Sequence, residues 1–454
     1  MTIKRRLYDN ILQRDIAKSY KKYSSMKNMT YKDIEEYRLK NLKWLVLYSY
    51  KYIPFYKELW DSCNVNPDIK SLKDFEKFPI VDKKMLKKAI QDWTLFSTEF
   101  KTPPKLVWQH TTWSTWNPFE FPFTISEEAD KNWCPRMYEE WYSWRTFDDK
   151  KARVRRWKYK KNIIDIIKEY LTNTYEVCIY DPNHTKETFL NDKRLWYLSR
   201  KLLKLKPKYI ETFPSALAEI AKYMKKNKLE VDFQIDWIIS WAEQLLSPDK
   251  TILSDVFWTN VFDRYGWTDA SLMAFQCQSM INIWNYHVDE LRIYLEAVDE
   301  HNDTIYDKPW QTIITDLWRK YAPFIRYRVW DYITISSDNV KKCSCCWIYS
   351  RTISSIWWRF NDTIELLNWN KISPHLWQNI LKKYDFIDTY QIIKKKENDF
   401  IVIKIVWNEE DKEWLNLLHN ELKSAFEWIQ FDFEFVDNID RNIWWKISQI
   451  LIEK

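Results

Sequence analysis

The stretch Lys208 to Asp263, KYIETFPSALAEIAKYMKKNKLEVDFQIDWIISWAEQLLSPDKTILSDVFWTNVFD, decides the fold. Its short apolar runs Lys208–Thr212, Asp236–Ser240 and Asn260–Asp263 read as strands. Between them, Ser215–Lys226 and Pro248–Phe257 carry apolar residues at three- and four-residue spacing and read as helices. Strands separated by helices pair in parallel, because a parallel crossover needs the length a helix supplies. The expected class is therefore α/β. Upstream, Glu176–Tyr180 extends the strand series and Phe189–Leu205 the helix series. Downstream, residues 282–338 read as antiparallel strands with polar turns.

Residues 9–50 read as helices, broken at Pro54. Another helix is expected over Asp82–Gln91. A polar loop follows at 109–118, then a helix opening at Ser126 with acids in its first turn. From about 360 a smaller unit begins: strands Phe386–Lys395 and Phe400–Val406, helix Glu410–Phe426 and strand Phe431–Val436. The expected organisation is a large N-terminal α/β domain over 1–358, with a helical start over 1–60. A small mobile α+β domain over 359–454 completes it. Two such units invite a ligand cleft between them.

The chain has 454 residues, 71 Lys+Arg against 64 Asp+Glu, and a formal charge of +7. That mild excess singles out neither nucleic acid nor a membrane surface. There is no apolar run of about 18 residues and no apolar leader after Met1, so neither a membrane span nor a signal peptide is expected. Seven cysteines, three of them crowded at Cys343, Cys345 and Cys346, point to metal chemistry in a reducing, cytoplasmic setting rather than to disulfides.

One figure is abnormal: 1 Gly and 29 Trp. At the usual ~7% a chain of this length holds about 32 Gly, which turns and helix ends require. The sum of the two counts, 30, meets that expectation. Asn368-Trp369-Asn370, Phe257-Trp258-Thr259, Ser240-Trp241-Ala242 and Trp444-Trp445-Lys446 place Trp where Gly would sit. Most of these tryptophans read as glycines, written as Trp because UGA codons for Gly were translated with a table that reads UGA as Trp. The alternative is a Trp-rich sugar binder with aromatic platforms.

The loop Thr111-Thr112-Trp113-Ser114-Thr115-Trp116-Asn117-Pro118, read with Gly at 113 and 116, is flexible and lined with hydroxyls. Its backbone N–H groups and its Ser and Thr donors suit phosphate oxygens. It resembles the phosphate-binding signature of the adenylate-forming superfamily, the AMP-forming acyl-CoA ligases. Further stretches resemble one branch of it, the phenylacetate–CoA ligases, coenzyme F420-adenylating synthetases and CapK-type proteins of polysaccharide clusters. These are Tyr52-Ile53-Pro54-Phe55-Tyr56, Phe78-Pro79-Ile80-Val81-Asp82-Lys83 and Thr212-Phe213-Pro214-Ser215.

The resemblance implies roles for particular residues. Ser240 and Glu243 would flank adenine. In Tyr265-Gly266-Trp267-Thr268-Asp269 the tyrosine would lie against adenine and the acid, Asp here rather than Glu, would help hold Mg²⁺. In Arg326-Tyr327-Arg328-Val329-Trp330-Asp331 the final carboxylate would accept from both ribose hydroxyls, and Arg326 would join the nucleotide site. Arg359 would meet phosphate or ribose beside a hinge at Asn361-Asp362, and Lys446 would be the mobile catalytic lysine. The implied activity is attack of a small-molecule carboxylate on the α-phosphorus of ATP, giving acyl-AMP and pyrophosphate, with CoA as the default acceptor. A catalytically degenerate binding or scaffold protein is the alternative, since Asp269 and Asn361 depart from the pattern.

Cys277, His287, Cys343 and Cys345 supply three thiolates and an imidazole, a donor set suited to tetrahedral, structural Zn²⁺. Cys346 competes for the fourth position.

Overall fold

The computed structural model describes residues 28–111, 119–132, 149–155, 163–179, 191–337, 340 and 342–357. Toward the C-terminus it describes 364–365, 371–372, 377, 380–381, 384, 387–395, 400–407, 412–426, 429–436, 439 and 450–452. The chain opens with α1 (Tyr31–Tyr52), α2 (Pro54–Ser62), α3 (Leu72–Glu76) and α4 (Lys83–Gln91). Local sequence fixes their ends. Thr30 and Asp33 form a reciprocal capping box at α1, and Ile53 turns extended so that Pro54 can take the first position of α2. Asp82 caps α4 by accepting from the Met85 amide at 2.8 Å.

β1 (Leu106–His110) and β2 (Glu120–Thr124) form an antiparallel hairpin, and residues 125–132 are helical. The N-cap of that helix is Thr124 rather than Ser126, because Thr124 and Glu127 bond each other's amides reciprocally. Next come β3 (Lys151–Arg155), α5 (Ile163–Thr172), β4 (Thr174–Cys178), α6 (Asp192–Leu205), β5 (Tyr209–Thr212) and α7 (Pro214–Lys226). They continue into β6 (Trp237–Ser240), α8 (Ser247–Phe257) and β7 (Asn260–Trp267). Strands β3 to β7 pair in parallel, as the alternation requires. Leu198 and Leu202 of α6, Ile220 and Met224 of α7, and Leu253 of α8 cover Val154, Val177, Ile210, Ile238 and Val261. Each such side chain, fully withdrawn from water, contributes about 1.5–3 kcal/mol.

At β7 the sheet changes direction. β8 (Ser271–Phe275), β9 (Tyr286–Val288), β10 (Ile293–Val298), β11 (Trp310–Asp316), β12 (Tyr327–Ile335) and β13 (Thr352–Trp357) continue it with antiparallel pairs. The eleven strands run β10-β11-β12-β13-β9-β8-β7-β6-β5-β3-β4. Leu42, Leu45, Tyr56 and Phe75 of α1 to α3 share one core with Ile293, Leu295, Ile314 and Val329. A buried ion pair also ties α1 to this half, Arg38 to Glu290 at 3.2 Å.

A separate small sheet forms toward the C-terminus: β16 (Ile387–Lys394), β17 (Ile401–Trp407), β18 (Phe431–Phe435) and β19 (Ile450–Ile452), in the order β18-β17-β16-β19. Leu418 and Leu422 of α9 (Lys412–Ala425) pack on Ile392, Ile403 and Ile405. The minor hairpin β14 (Ile364–Glu365) with β15 (Lys371–Ile372) precedes it. The class is thus α/β, a large sheet domain followed by a small C-terminal sheet domain. No helix among the described residues is long and apolar enough to cross a membrane.

Candidate active site and metal centre

Ligands in open α/β sheets sit beyond strand C-termini, where the strand order changes. Here that place is the end of β7, where parallel pairing gives way to antiparallel. Tyr265, Gly266 and Trp267 close the strand, with a bulge at Tyr265/Gly266. Gly266 is needed for space: a Cβ there would lie 2.1 Å from the Ser271 carbonyl oxygen. The chain's sole glycine therefore stands where no side chain fits.

The turn that follows exposes Asp269 to an unusual environment. Asp269 is buried, and Oδ2 accepts from Tyr327 Oη at 3.0 Å. Among the described residues, Oδ1 has no hydrogen-bond partner. Burial pushes its carboxyl up, while Tyr327, Lys131 and Arg319 pull it down. An unpartnered buried carboxylate oxygen is costly, and it suits a hard cation that prefers oxygen ligands. Lys131, from the helical residues 125–132, donates to Thr268 O and Gln109 Oε1, each at 2.5 Å. Nothing in the sequence distinguishes this lysine from a surface charge.

Asp331 of β12 is fully buried. Its Oδ2 accepts from Tyr265 Oη at 2.8 Å and from Trp267 Nε1 at 2.6 Å. Asp331, Tyr265 and Trp267 thus meet, as the two motifs suggest. Ser240 ends β6 and donates to Asp263, whose carboxyl burial pushes up to about 6. Glu243 accepts from Ser215 N at 3.2 Å and Ser215 Oγ at 2.7 Å, holding the start of α7. Thr111 closes the base of its loop: its amide donates to Phe119 O at 2.9 Å, and Oγ1 accepts from Phe119 N at 3.1 Å. Thr112, Trp113, Ser114, Thr115, Trp116, Arg359 and Lys446 lie outside the described residues.

Arg326 corrects an expectation. It is fully buried, with its guanidinium bonded to Glu76 O, to Phe78 O at 2.6 Å and to Glu296 at 3.0 Å. It fastens the start of β12 to the end of α3, so its guanidinium is taken up by Glu76 O, Phe78 O and Glu296.

The metal cluster needs a second correction. Cys277, His287, Cys343 and Cys346 bring their ligand atoms within 4.8 Å of one another, and Cys345 is not among them. The sulfur of Cys277 lies 3.6 Å from that of Cys343, and His287 Nε2 lies 3.4 Å from Cys277 and from Cys346. A tetrahedron with ~2.3 Å zinc–sulfur bonds has edges of roughly 3.7 Å, so the donor set and its spacing fit. His287 Nδ1 meets Ser350 Oγ at 2.8 Å, which orients the ring. Backbone spacing in Cys343-Ser344-Cys345-Cys346 could not choose between the last two thiols.

No family model matches the sequence, and no curated protein does. Solved structures do. A 2-hydroxyisobutyryl-CoA ligase, solved in the postadenylation state with R3-HIB-AMP, superposes with a TM-score of 0.74 at 17% identity. That match covers 94% of this chain and 91% of that one. A benzoate CoA ligase from Burkholderia xenovorans LB400 gives 0.52 at 13% identity, over 77% and 69%. The amide bond synthetase McbA from Marinactinospora thermotolerans gives 0.51 at 10%, over 76% and 68%. This chain has the fold of adenylate-forming ligases. The C-terminal end of β7 is therefore the first place to look for its chemistry.

Proposed function

We propose that the chain adenylates a small carboxylic acid and passes the acyl group to a thiol, with CoA as the acceptor. The acid's oxygen attacks the α-phosphorus of ATP, the bond to the β-phosphate oxygen breaks, and pyrophosphate leaves. Thiolate attack on the acyl carbon then releases AMP. Buried Asp269, with one oxygen unpartnered in a fold shared with ligases that hold acyl-AMP, is the observation that carries this reading. Mg²⁺ at Asp269 would offset charge building on the phosphoryl oxygens. Asp331 would accept from ribose hydroxyls, with Tyr265 beside the adenine. Arg359 and Lys446 keep the phosphate-facing roles that the sequence suggests for them. A domain boundary at 358/359 suits a small unit that rotates between the two half-reactions. The branch is that of the phenylacetate–CoA ligases and CapK-type proteins, with a role in polysaccharide clusters, and Zn²⁺ in the Cys277–His287–Cys343–Cys346 cluster is structural.

We also infer that many of the tryptophans stand for glycine. Among the described residues, thirteen other than glycine have positive φ, and four of them are Trp93, Trp258, Trp284 and Trp347. That backbone region excludes bulky side chains and favours glycine. Trp258 ends α8 in a left-handed cap and is 83% exposed, so its ring does no packing there. Trp60 and Trp377, both buried, are by contrast core residues, Trp377 stacking on Phe426 at 4.1 Å.

The test is ATP–pyrophosphate exchange with a panel of acids. A chain with glycine at 113, 116, 258, 330 and 445 should exchange, and the chain as written should not. No exchange and no ATP binding by either would overturn the enzyme reading. Codons read as UGG at these positions would overturn the glycine reading.

A further inference from the structure

Lys131 is a buried cation with no carboxylate at ion-pair distance among the described residues. Its two bonded acceptors are neutral. One is Gln109 Oε1, on β1. The other is Thr268 O, one residue before Asp269. Its ammonium also lies 4.6 Å from the ring centroid of Phe123. Burial pulls it down to about 7, Arg292 and Arg319 add to that, and Asp269 and Glu128 oppose it. A buried ammonium costs free energy unless its N–H groups are hydrogen-bonded, so its two acceptors and its own position are fixed together.

Its backbone is tied to the same turn, because Ser271 Oγ donates to Lys131 O at 3.3 Å. Ser271 itself has φ 63°, and its carbonyl leaves no room for a side chain at Gly266. Lys131 thus meets the 266–271 turn twice, through its ammonium at Thr268 O and through its own carbonyl at Ser271 Oγ. The other groups directed at this place are Arg319, which donates to Pro122 O at 2.8 Å, Tyr327, which donates to Asp269, and Lys83.

We propose that Lys131 is a positioning residue that fastens the Thr268–Asp269 turn to strand β1, fixing the separation between Asp269 and that strand. This rests on the adenylation reading for its functional consequence, but the fastening itself is a property of the ligand-free chain. Both acceptors are oxygens at the ends of an N–H pair from one ammonium. Removing the donor therefore takes a hydrogen-bond partner from each of them at once.

The experiment compares Lys131→Met, Gln109→Leu and the double variant in the full chain. Hydrogen–deuterium exchange without nucleotide is read first, at the Ala270 amide, which bonds Trp267 O, and the Thr111 amide, which bonds Phe119 O. Lys131→Met should speed exchange in both segments at least tenfold while β16 and β17 stay unchanged. Gln109→Leu should free only the Thr111 side, and the double variant should add nothing to Lys131→Met. Calorimetry with MgATP should then show weaker binding by tenfold or more, with KM for ATP raised and KM for the acid unmoved. Unchanged exchange in both segments of a folded Lys131→Met variant overturns the proposal. If the chain with glycine at 113, 116, 258, 330 and 445 binds no ATP but Lys131→Met still loosens both segments, the adenylation reading fails and the clamp stands.

Discussion

Replacing Gly266 with alanine tests the site most directly. The added Cβ would sit 2.1 Å from Ser271 O, 3.0 Å from Ser271 C and 3.1 Å from Leu272 Cα, all backbone atoms. Restoring a contact of about 3 Å to the oxygen requires roughly a 0.9 Å shift of the turn that carries Asp269. Overpacking of this kind costs about 1–3 kcal/mol. A misplacement of about 1 Å at a reacting centre costs on the order of 100-fold in rate. In the chain with glycine at 113, 116, 258, 330 and 445, Gly266→Ala should therefore lower the urea midpoint modestly and cut ATP–pyrophosphate exchange by about 100-fold. Adding Ser271→Gly, which relaxes the φ 63° position on the other side of the contact, should recover part of both losses. A Gly266→Ala chain with wild-type exchange and stability would refute the reasoning, because the turn would then be free to move without consequence.

Asp269→Asn should leave folding intact and reduce exchange at least tenfold, measured at saturating Mg²⁺. For the metal, Cys346→Ser should abolish zinc detected by elemental mass spectrometry, while Cys345→Ser should retain about one equivalent. Glu290 accepts from Arg38 and from three nitrogens of Arg351, and its carboxyl is held down to about 2 against an ordinary 4.5. The depressed carboxyl contributes stability above pH 4.5 that is lost as pH falls toward 2, on the order of 3 kcal/mol. Glu290→Gln should flatten that acid limb in urea melts and cost about 3–5 kcal/mol at pH 7, since the buried Arg351 loses its counter-charge and Arg38 keeps only Glu35 at 3.9 Å. Trp60→Gly should destabilise by at least ~3 kcal/mol, because it empties a core site beside Tyr56 and Phe78, whereas Trp258→Gly should cost nothing measurable in the same assay.

Periodicity made the parallel half legible, because α7 and α8 each bury one apolar face and the strands between them are nearly all apolar. The small sheet was legible for the same reason. β3, Lys-Ala-Arg-Val-Arg, was not: its charged residues look like a surface segment, yet Lys151 and Arg153 are neutralised by Glu211 on β5. Motif spacing brought Tyr265 to Asp331, since both lie on strands of one sheet. It misplaced Arg326, because a charged residue beside a motif looks functional until its partners are known. Lys131 gave no signal at all, since its importance comes from a turn 137 residues away in sequence.

The Cys/His cluster sits at the narrowest seam of the large sheet. β9 holds β8 by two residue pairs and β13 by two more, and those few pairs join the parallel strands to the block β10–β13. Cys277 follows β8, His287 is in β9, and Cys343 and Cys346 precede β13. A metal gripping all three would act as a rivet through that seam. Tyr265 and Asp331 reach across that seam through their own hydrogen bond. Chelation should therefore be felt at that contact as well as at the metal.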